Sequence, residues 1–361
     1  MAAALGVLVS CGSVKSGEEV VAASRDSKVV VAYVTSWSEV MPDPQYMTHI
    51  NYAFGHVNES FNGVKIDNEE RLRQIVDLRK QKPELKVLLS IGGWGSGRFS
   101  EMAANDEYRR AFAADCDRVV KEFALDGIDI DWEYPTSSMA NISSSPDDTE
   151  NFTLLMQDIR AAIGNEKELT LATVASARYI DFKAILPSVD FVNIMAYDMA
   201  SAPKHHSALY PSGHSGDITS DGAVTAHLKA GVPPSKLVMG MPFYGRGGDG
   251  YPSFQDYNKV GNTDTQYTEK WDEVAQVPYL ADKNDTLVFG FENPRSLAIK
   301  CQYILDKDLL GGMYWDYSGD NEQGDLRLTV ADNLLGKPHK AKVLVLTERG
   351  GQHGGFTDAG L

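Results

Sequence analysis

The sequence predicts a closed barrel of eight parallel strands, each followed by a helix, and three observations carry that expectation. From position 28, apolar runs rich in Val, Ile and Leu alternate with amphipathic stretches through eight units over about 310 residues, as strands buried on both faces and their covering helices require. Polar and aromatic residues gather at the C-terminal ends of these runs, the face on which such barrels build their sites. The rival architecture, an open doubly wound sheet, wants a Gly-rich phosphate loop after its first strand, and Thr35, Ser36 and Trp37 stand there instead.

The elements follow in order. Strand one is the run 29–36 and strand two the run 50–57. A helical stretch at 68–81 leads to strand three at 86–91, which delivers Ser90, Gly92, Gly93 and Trp94. Apolar positions near helical spacing predict one long helix over 100–125. Strand four, 127–133, precedes a helix at 147–163 and strand five at 169–175. A short helix at 182–186 leads to strand six, 191–197, which ends at Met195, Tyr197 and Asp198. A helix at 223–230 then leads to strand seven, 237–244, which delivers Tyr244 and Arg246. The helix Pro294–Asp306, strand eight at 312–316 with Trp315, and a helix at 328–335 complete the cycle. The connection 247–290, with Trp271, Tyr251, Tyr257, Tyr267 and Tyr279, is long enough for an inserted subdomain or a wall beside the cleft. The alternative is a packed excursion whose aromatics form a small core of their own.

Of the 361 residues, 43% are hydrophobic and 23% charged, an ordinary globular balance with enough length for a sizeable core. The net charge of −16 argues against nucleic-acid binding, which needs clustered Lys and Arg. Cys116 and Cys301 fall in helical stretches and read as buried free thiols, and no C-x-x-C metal spacing occurs. Cys11 closes the apolar run Leu8, Val9, Ser10 and resembles a bacterial lipobox, in which the cysteine is lipidated after cleavage. A truncated ordinary signal peptide is the alternative, since no Lys or Arg precedes the run. Residues 1–27 are thus expected to be a signal segment and polar tether, and the protein to be exported: a bacterial envelope lipoprotein, periplasmic or outer-surface, or otherwise secreted. Past 337 a fresh apolar strand at 342–347 and a Gly-rich run predict either the opening of a second α/β domain or a tail.

The ten residues 126–135 hold the densest chemistry. Asp129, Asp131 and Glu133 sit at spacing two, which on a strand turns all three carboxylates to one face and Ile128, Ile130 and Trp132 to the other. Three ionised carboxylates on one wall repel, so at least one should hold a proton near neutral pH. A protonated acid beside ionised partners is what general-acid cleavage of an acetal needs. A Ca²⁺ loop would want Gly at its sixth position and polar residues between the acids, and Tyr134, Ile and Trp stand there. A solvated acidic edge strand has the same periodicity, but carboxylates and aromatics converging on one mouth favour a sugar site. Asp126 is out of phase with the other three and reads as a turn residue before Gly127.

With these motifs in place, residues 28–336 resemble glycoside hydrolase family 18, the chitinase and endo-β-N-acetylglucosaminidase family. Its D-x-x-D-x-D-x-E signature is Asp126, Asp129, Asp131 and Glu133; its S-x-G-G motif is Ser90, Gly92 and Gly93; its strand-six motif is Met195, Ala196, Tyr197 and Asp198; its strand-eight tryptophan is Trp315. The stretches 52–54 (YAF) and 242–246 (PFYGR) are also similar. The resemblance implies cleavage of β-1,4-linked N-acetylglucosamine oligomers or polymers, with retention and without metal or organic cofactor. Glu133 would be the general acid, and the substrate's own 2-acetamido oxygen the nucleophile, forming an oxazolinium ion. Asp131 would orient the acetamide, Asp129 would share a proton with Asp131, and Tyr197 would hold the acetamide carbonyl. Trp315 would floor the sugar, with Tyr33, Phe54, Met195, Asp198, Tyr244 and Arg246 around it and Trp94 under a neighbouring sugar. The insertion looks shorter than that of deep-cleft relatives, which counts against processive binding of a long polymer. Alternatives are an endo-β-N-acetylglucosaminidase on N-glycans, a chitinase-like lectin, against which Glu133 argues, and a glycan-binding lipoprotein feeding a transporter. Membrane association is expected only through a lipid on Cys11. The segment after 337 resembles the first strand and loop of trehalose-utilisation-like (ThuA-like) domains.

Overall fold

The computed structural model describes residues 28–248, 250–260 and 266–336. The expected lipobox at Cys11, the tether and the strand beyond 337 lie outside the described residues.

The strands in chain order are β1 (Val29–Thr35), β2 (His49–Val57), β3 (Val64–Ile66), β4 (Lys86–Gly92), β5 (Gly127–Asp131), β6 (Glu168–Val174), β7 (Phe191–Met195) and β8 (Leu237–Pro242). Then come β9 (Tyr244–Gly247), β10 (Gln255–Asp256), β11 (Thr268–Asp272), β12 (Val277–Ala281), β13 (Leu287–Gly290) and β14 (Gly311–Trp315). The helices are α1 (Glu69–Val76), α2 (Phe99–Ala104), α3 (Asp106–Glu122), α4 (Asp148–Ile163), α5 (Phe182–Ile185), α6 (Ser220–Lys229), α7 (Pro294–Asp306) and α8 (Asp325–Leu335).

Eight strands pair in parallel in the order β1-β14-β8-β7-β6-β5-β4-β2, and β1 pairs with β2 to close the ring. This is the expected (β/α)₈ barrel. Alternation along each strand divides the core in two. Ile128, Ile130 and Leu171 point outward into the cluster packed under the helices, while Val31, Ala172, Val238 and Met313 fill the interior. Each fully buried Ile or Leu contributes about 1.5–3 kcal/mol of transfer free energy.

Four expectations are corrected, the first being the strand over 191–197, which stops at Met195 and leaves Tyr197 in the loop after it. The single helix over 100–125 is two, α2 and α3, broken at Asn105. The Asn105 side chain accepts from the backbone N–H groups of Glu107 and Tyr108 at 2.9 and 3.0 Å and starts a new helix with acids in its first turn. The strand over 127–133 stops at Asp131. Trp132 keeps the outward direction expected of it, stacked on Phe99 with ring centroids 5.3 Å apart, and Glu133 projects from the loop after the strand. The strand over 237–244 ends at Pro242, and Tyr244 already belongs to the inserted sheet.

That insertion is a five-stranded antiparallel sheet in the order β10-β9-β13-β12-β11. Tyr251, Tyr257 and Tyr267 pack on Leu280, Phe289 and Phe291 as a small core, and Tyr244, Arg246 and Phe254 face the cleft. The segment is both of the things expected of it. It is fastened to the loop after β7 by a buried ion pair: Lys300 on α7 meets Glu292, both fully buried, and Ser207 donates to the same Glu292 oxygen at 2.6 Å. Asp272 on β11 accepts from Ser212 at 2.8 Å and lies 3.2 Å from His205 Nε2.

Candidate active site

The cleft opens at the C-terminal ends of the barrel strands, with a volume of about 740 Å³. Each strand end contributes. β1 and β2 supply Tyr33 and Phe54, the loops after β4 and β5 supply Trp94 and Glu133, and β5 itself supplies Asp131. β7 and its loop bring Met195, Tyr197 and Asp198; β9 brings Tyr244 and Arg246; β14 brings Trp315. Trp315 forms the floor, stacked 5.5 Å from Phe54 at 19° and 5.7 Å from Tyr33.

Asp129 lies one layer deeper and is completely buried. Four side chains point hydrogen-bond donors at it: Thr170 at 2.6 Å, Ser90 at 2.8 Å, Tyr33 at 2.9 Å and Asn193 at 3.3 Å. Burial raises its carboxyl and these donors work against that rise. Asp131 is 4% exposed, and its Oδ1 is buried without any hydrogen-bond partner. Burial first, then the charges of Glu133 and Asp129, push the Asp131 carboxyl well above the usual carboxylate range. Glu133 is pushed up to about 7, by burial first and with help from the charge of Asp198, while a hydrogen bond from Tyr134 pulls the other way. The three acids are therefore unequal. The deepest is held by four donors, the middle one is short of partners, and the outermost titrates at about 7.

Two glycines let the loop after β4 lie against this strand. A Cβ on Gly92 would fall 1.9 Å from the Asp131 carbonyl oxygen, and one on Gly93 would fall 2.7 Å from the Phe54 ring. Both have positive φ, at +132° and +93°. Gly93 N–H donates to the Asp131 carbonyl at 2.9 Å, pinning the loop in place.

Tyr197 sits across from Asp131. Burial, then the charges of Asp131 and Glu133, hold its phenol far above the ordinary range, so the hydroxyl keeps its proton. Its hydroxyl reaches Met313 Sδ only at 3.9 Å, which leaves a strong donor to offer. Asp198 accepts twice from Arg246, at 2.7 and 2.6 Å. Burial alone would raise Asp198; the bonds from Arg246 and His206 outweigh it and hold the carboxyl well below the usual range. Asp126 takes no part in the cleft. At the opposite end of β5 it accepts from Val87 N–H at 2.7 Å and pairs with Arg79.

The sequence profile of glycosyl hydrolases family 18 matches residues 29–320. The chain belongs to that family. Among relatives of this family 18 chain, it is 30% identical to Chitinase A1 of Niallia circulans over 84% of this chain, but spans only 58% of that protein's length. It is 31% identical to Chitotriosidase-1 of Mus musculus over 82% of this chain and 74% of that one. A solved family 18 N-acetylglucosaminidase from Paenibacillus barengoltzii superimposes with a TM-score of 0.78 at 32% identity, over 85% of this chain and 99% of that one.

The motif residues Phe54, Asp131, Glu133, Met195, Tyr197, Asp198, Tyr244, Arg246 and Trp315 line the cleft with Tyr33 and Trp94, and further lining residues had escaped the sequence reading. Trp37 is 63% exposed and stands 6.4 Å from Trp315. Tyr134, stacked on Tyr179 at 5.6 Å, Arg178 and Phe254 complete the rim. Trp37 could have been found, because it follows strand one directly. Thr170 and Asn193 could not, because which buried strand positions face inward toward Asp129 depends on the register between strands.

Proposed function

We propose that the protein cleaves β-1,4-linked N-acetylglucosamine oligomers with retention, using the substrate's acetamide as nucleophile. The carrying observation is the pair Asp131 and Tyr197. A buried Asp131 carboxyl oxygen lacks a donor, and the half-buried Tyr197 hydroxyl offers one. A 2-acetamido group carries the complement, an N–H for Asp131 and a C=O for Tyr197. Fixing both ends would aim the carbonyl oxygen at the anomeric carbon, which is catalysis by positioning. Glu133, its carboxyl pushed up to about 7, protonates the glycosidic oxygen as that bond breaks. The oxazolinium that forms is cationic, and Asp131 with Asp129 below it supplies the opposing charge. Water, activated by Glu133 now acting as a base, opens the ring and returns the proton. Trp315 supplies an apolar floor for the sugar face. The names of the chitinase relatives support this substrate class.

The test is mass spectrometry of products from the full chain with chitotetraose, with its fully de-N-acetylated counterpart, and with an N-glycosylated protein. Chitotetraose should be cut, the de-N-acetylated tetramer left intact, and Glu133→Gln should lose about 10²–10⁴-fold in rate. Glycan release from the glycoprotein alone would move the substrate to N-glycans. No product from either would return the protein to a glycan-binding role. Cleavage of the de-N-acetylated tetramer would sink the acetamide mechanism.

A further inference from the structure

We infer that His206 is the positioning residue for Asp198, and that it acts through Nδ1 alone. The inference deepens the proposed function and rests on it. His206 is fully buried. Its Nδ1 stands 3.5 Å from the backbone nitrogen of Asp198 and 3.5 Å from Asp198 Oδ1. Its carbonyl accepts from Met199 N–H at 3.0 Å, so the chain folds back over Asp198. Asp198 needs such a hold, because it sits at φ +54°, a region costly for a residue with a side chain. The other ring nitrogen, Nε2, is buried with no partner. Tyr244 packs against the ring at 5.3 Å and itself lines the cleft. The imidazole thus has one working nitrogen, aimed at the residue that anchors Arg246.

The charged and titratable groups around this contact are Asp198 and Arg246, with Tyr244 against the ring. Beyond them stand Tyr197, Asp131 and Glu133. The charge on Asp198 is one of the influences raising the Glu133 carboxyl, so an altered hold on Asp198 reaches the general acid.

Two amides separate the nitrogens. An asparagine places a polar atom where Nδ1 stands, and a glutamine places one where Nε2 stands. Full-length His206→Asn, His206→Gln and His206→Ala would be assayed on chitotetraose across pH, with melting temperatures measured in parallel. We expect His206→Asn to stay within about threefold of wild-type kcat/KM, and Gln and Ala to fall by about tenfold or more. In the Gln and Ala variants the alkaline limb of kcat/KM should move, because the Asp198 carboxylate that acts on Glu133 is no longer held in place. If Gln matches Asn, or Ala keeps wild-type rate and limb, the inference fails. It also fails if activity falls only in step with melting temperature while the limb stays put. A wild-type chain that cuts nothing would overturn the proposed function and take this inference with it.

Discussion

Glu133 must be protonated to act as an acid, and its environment is arranged for that. Its position at the loop after β5 removes most of its water, and Asp198 adds a negative charge nearby. A carboxylic acid that titrates at about 7 donates below that pH and has lost its proton above it. We therefore expect kcat/KM on chitotetraose to fall as pH rises through about 7, tenfold per unit beyond the limb. Asp198→Asn removes one cause of the shift and should move that limb to lower pH. A limb that stays in place in this variant would mean that burial alone sets the acid. The spacing of Asp129, Asp131 and Glu133 already announced unequal acids, but not their ranking. That ranking comes from Thr170, Asn193 and Tyr33, which lie 41, 64 and 96 positions from Asp129 in the chain and reach it only in the closed barrel.

The strands were the legible elements, because a run buried on both faces leaves a continuous apolar signature, and all eight barrel strands formed where those runs lie. The helix over 100–125 misled, since its apolar spacing continues through Asn105 while the backbone does not. The signal was present as a capping residue followed by two acids, Asp106 and Glu107, and periodicity masked it. Asn105→Ala should cost about 1 kcal/mol by removing that cap, read as a lower denaturation midpoint with an unchanged slope. A change below the error of the midpoint would show that packing of α3 on α4 holds the break without the cap. The inserted sheet was legible as a long aromatic connection but not as strands, because its short segments carry turns and charges in place of alternation.

At the scale of the whole molecule, the insertion and the loop after β7 are joined through the buried pair of Lys300 and Glu292. Removing one member leaves a buried charge uncompensated, which typically costs about 3–5 kcal/mol. Lys300→Met should therefore unfold at markedly lower temperature. Adding Glu292→Leu should recover much of the loss, and a double variant no better than the single would rule out the stranded charge as its cause. The closing of the barrel has a different consequence. Lys28 stands at the foot of β1, fixed to Asp308 at 2.8 Å and to the Leu309 carbonyl at 2.7 Å. The cleft opens at the other end of the same strands. A bulky group joined directly ahead of Lys28 would therefore sit at the end of the barrel away from the mouth, and leave the path of a sugar to Trp315 clear.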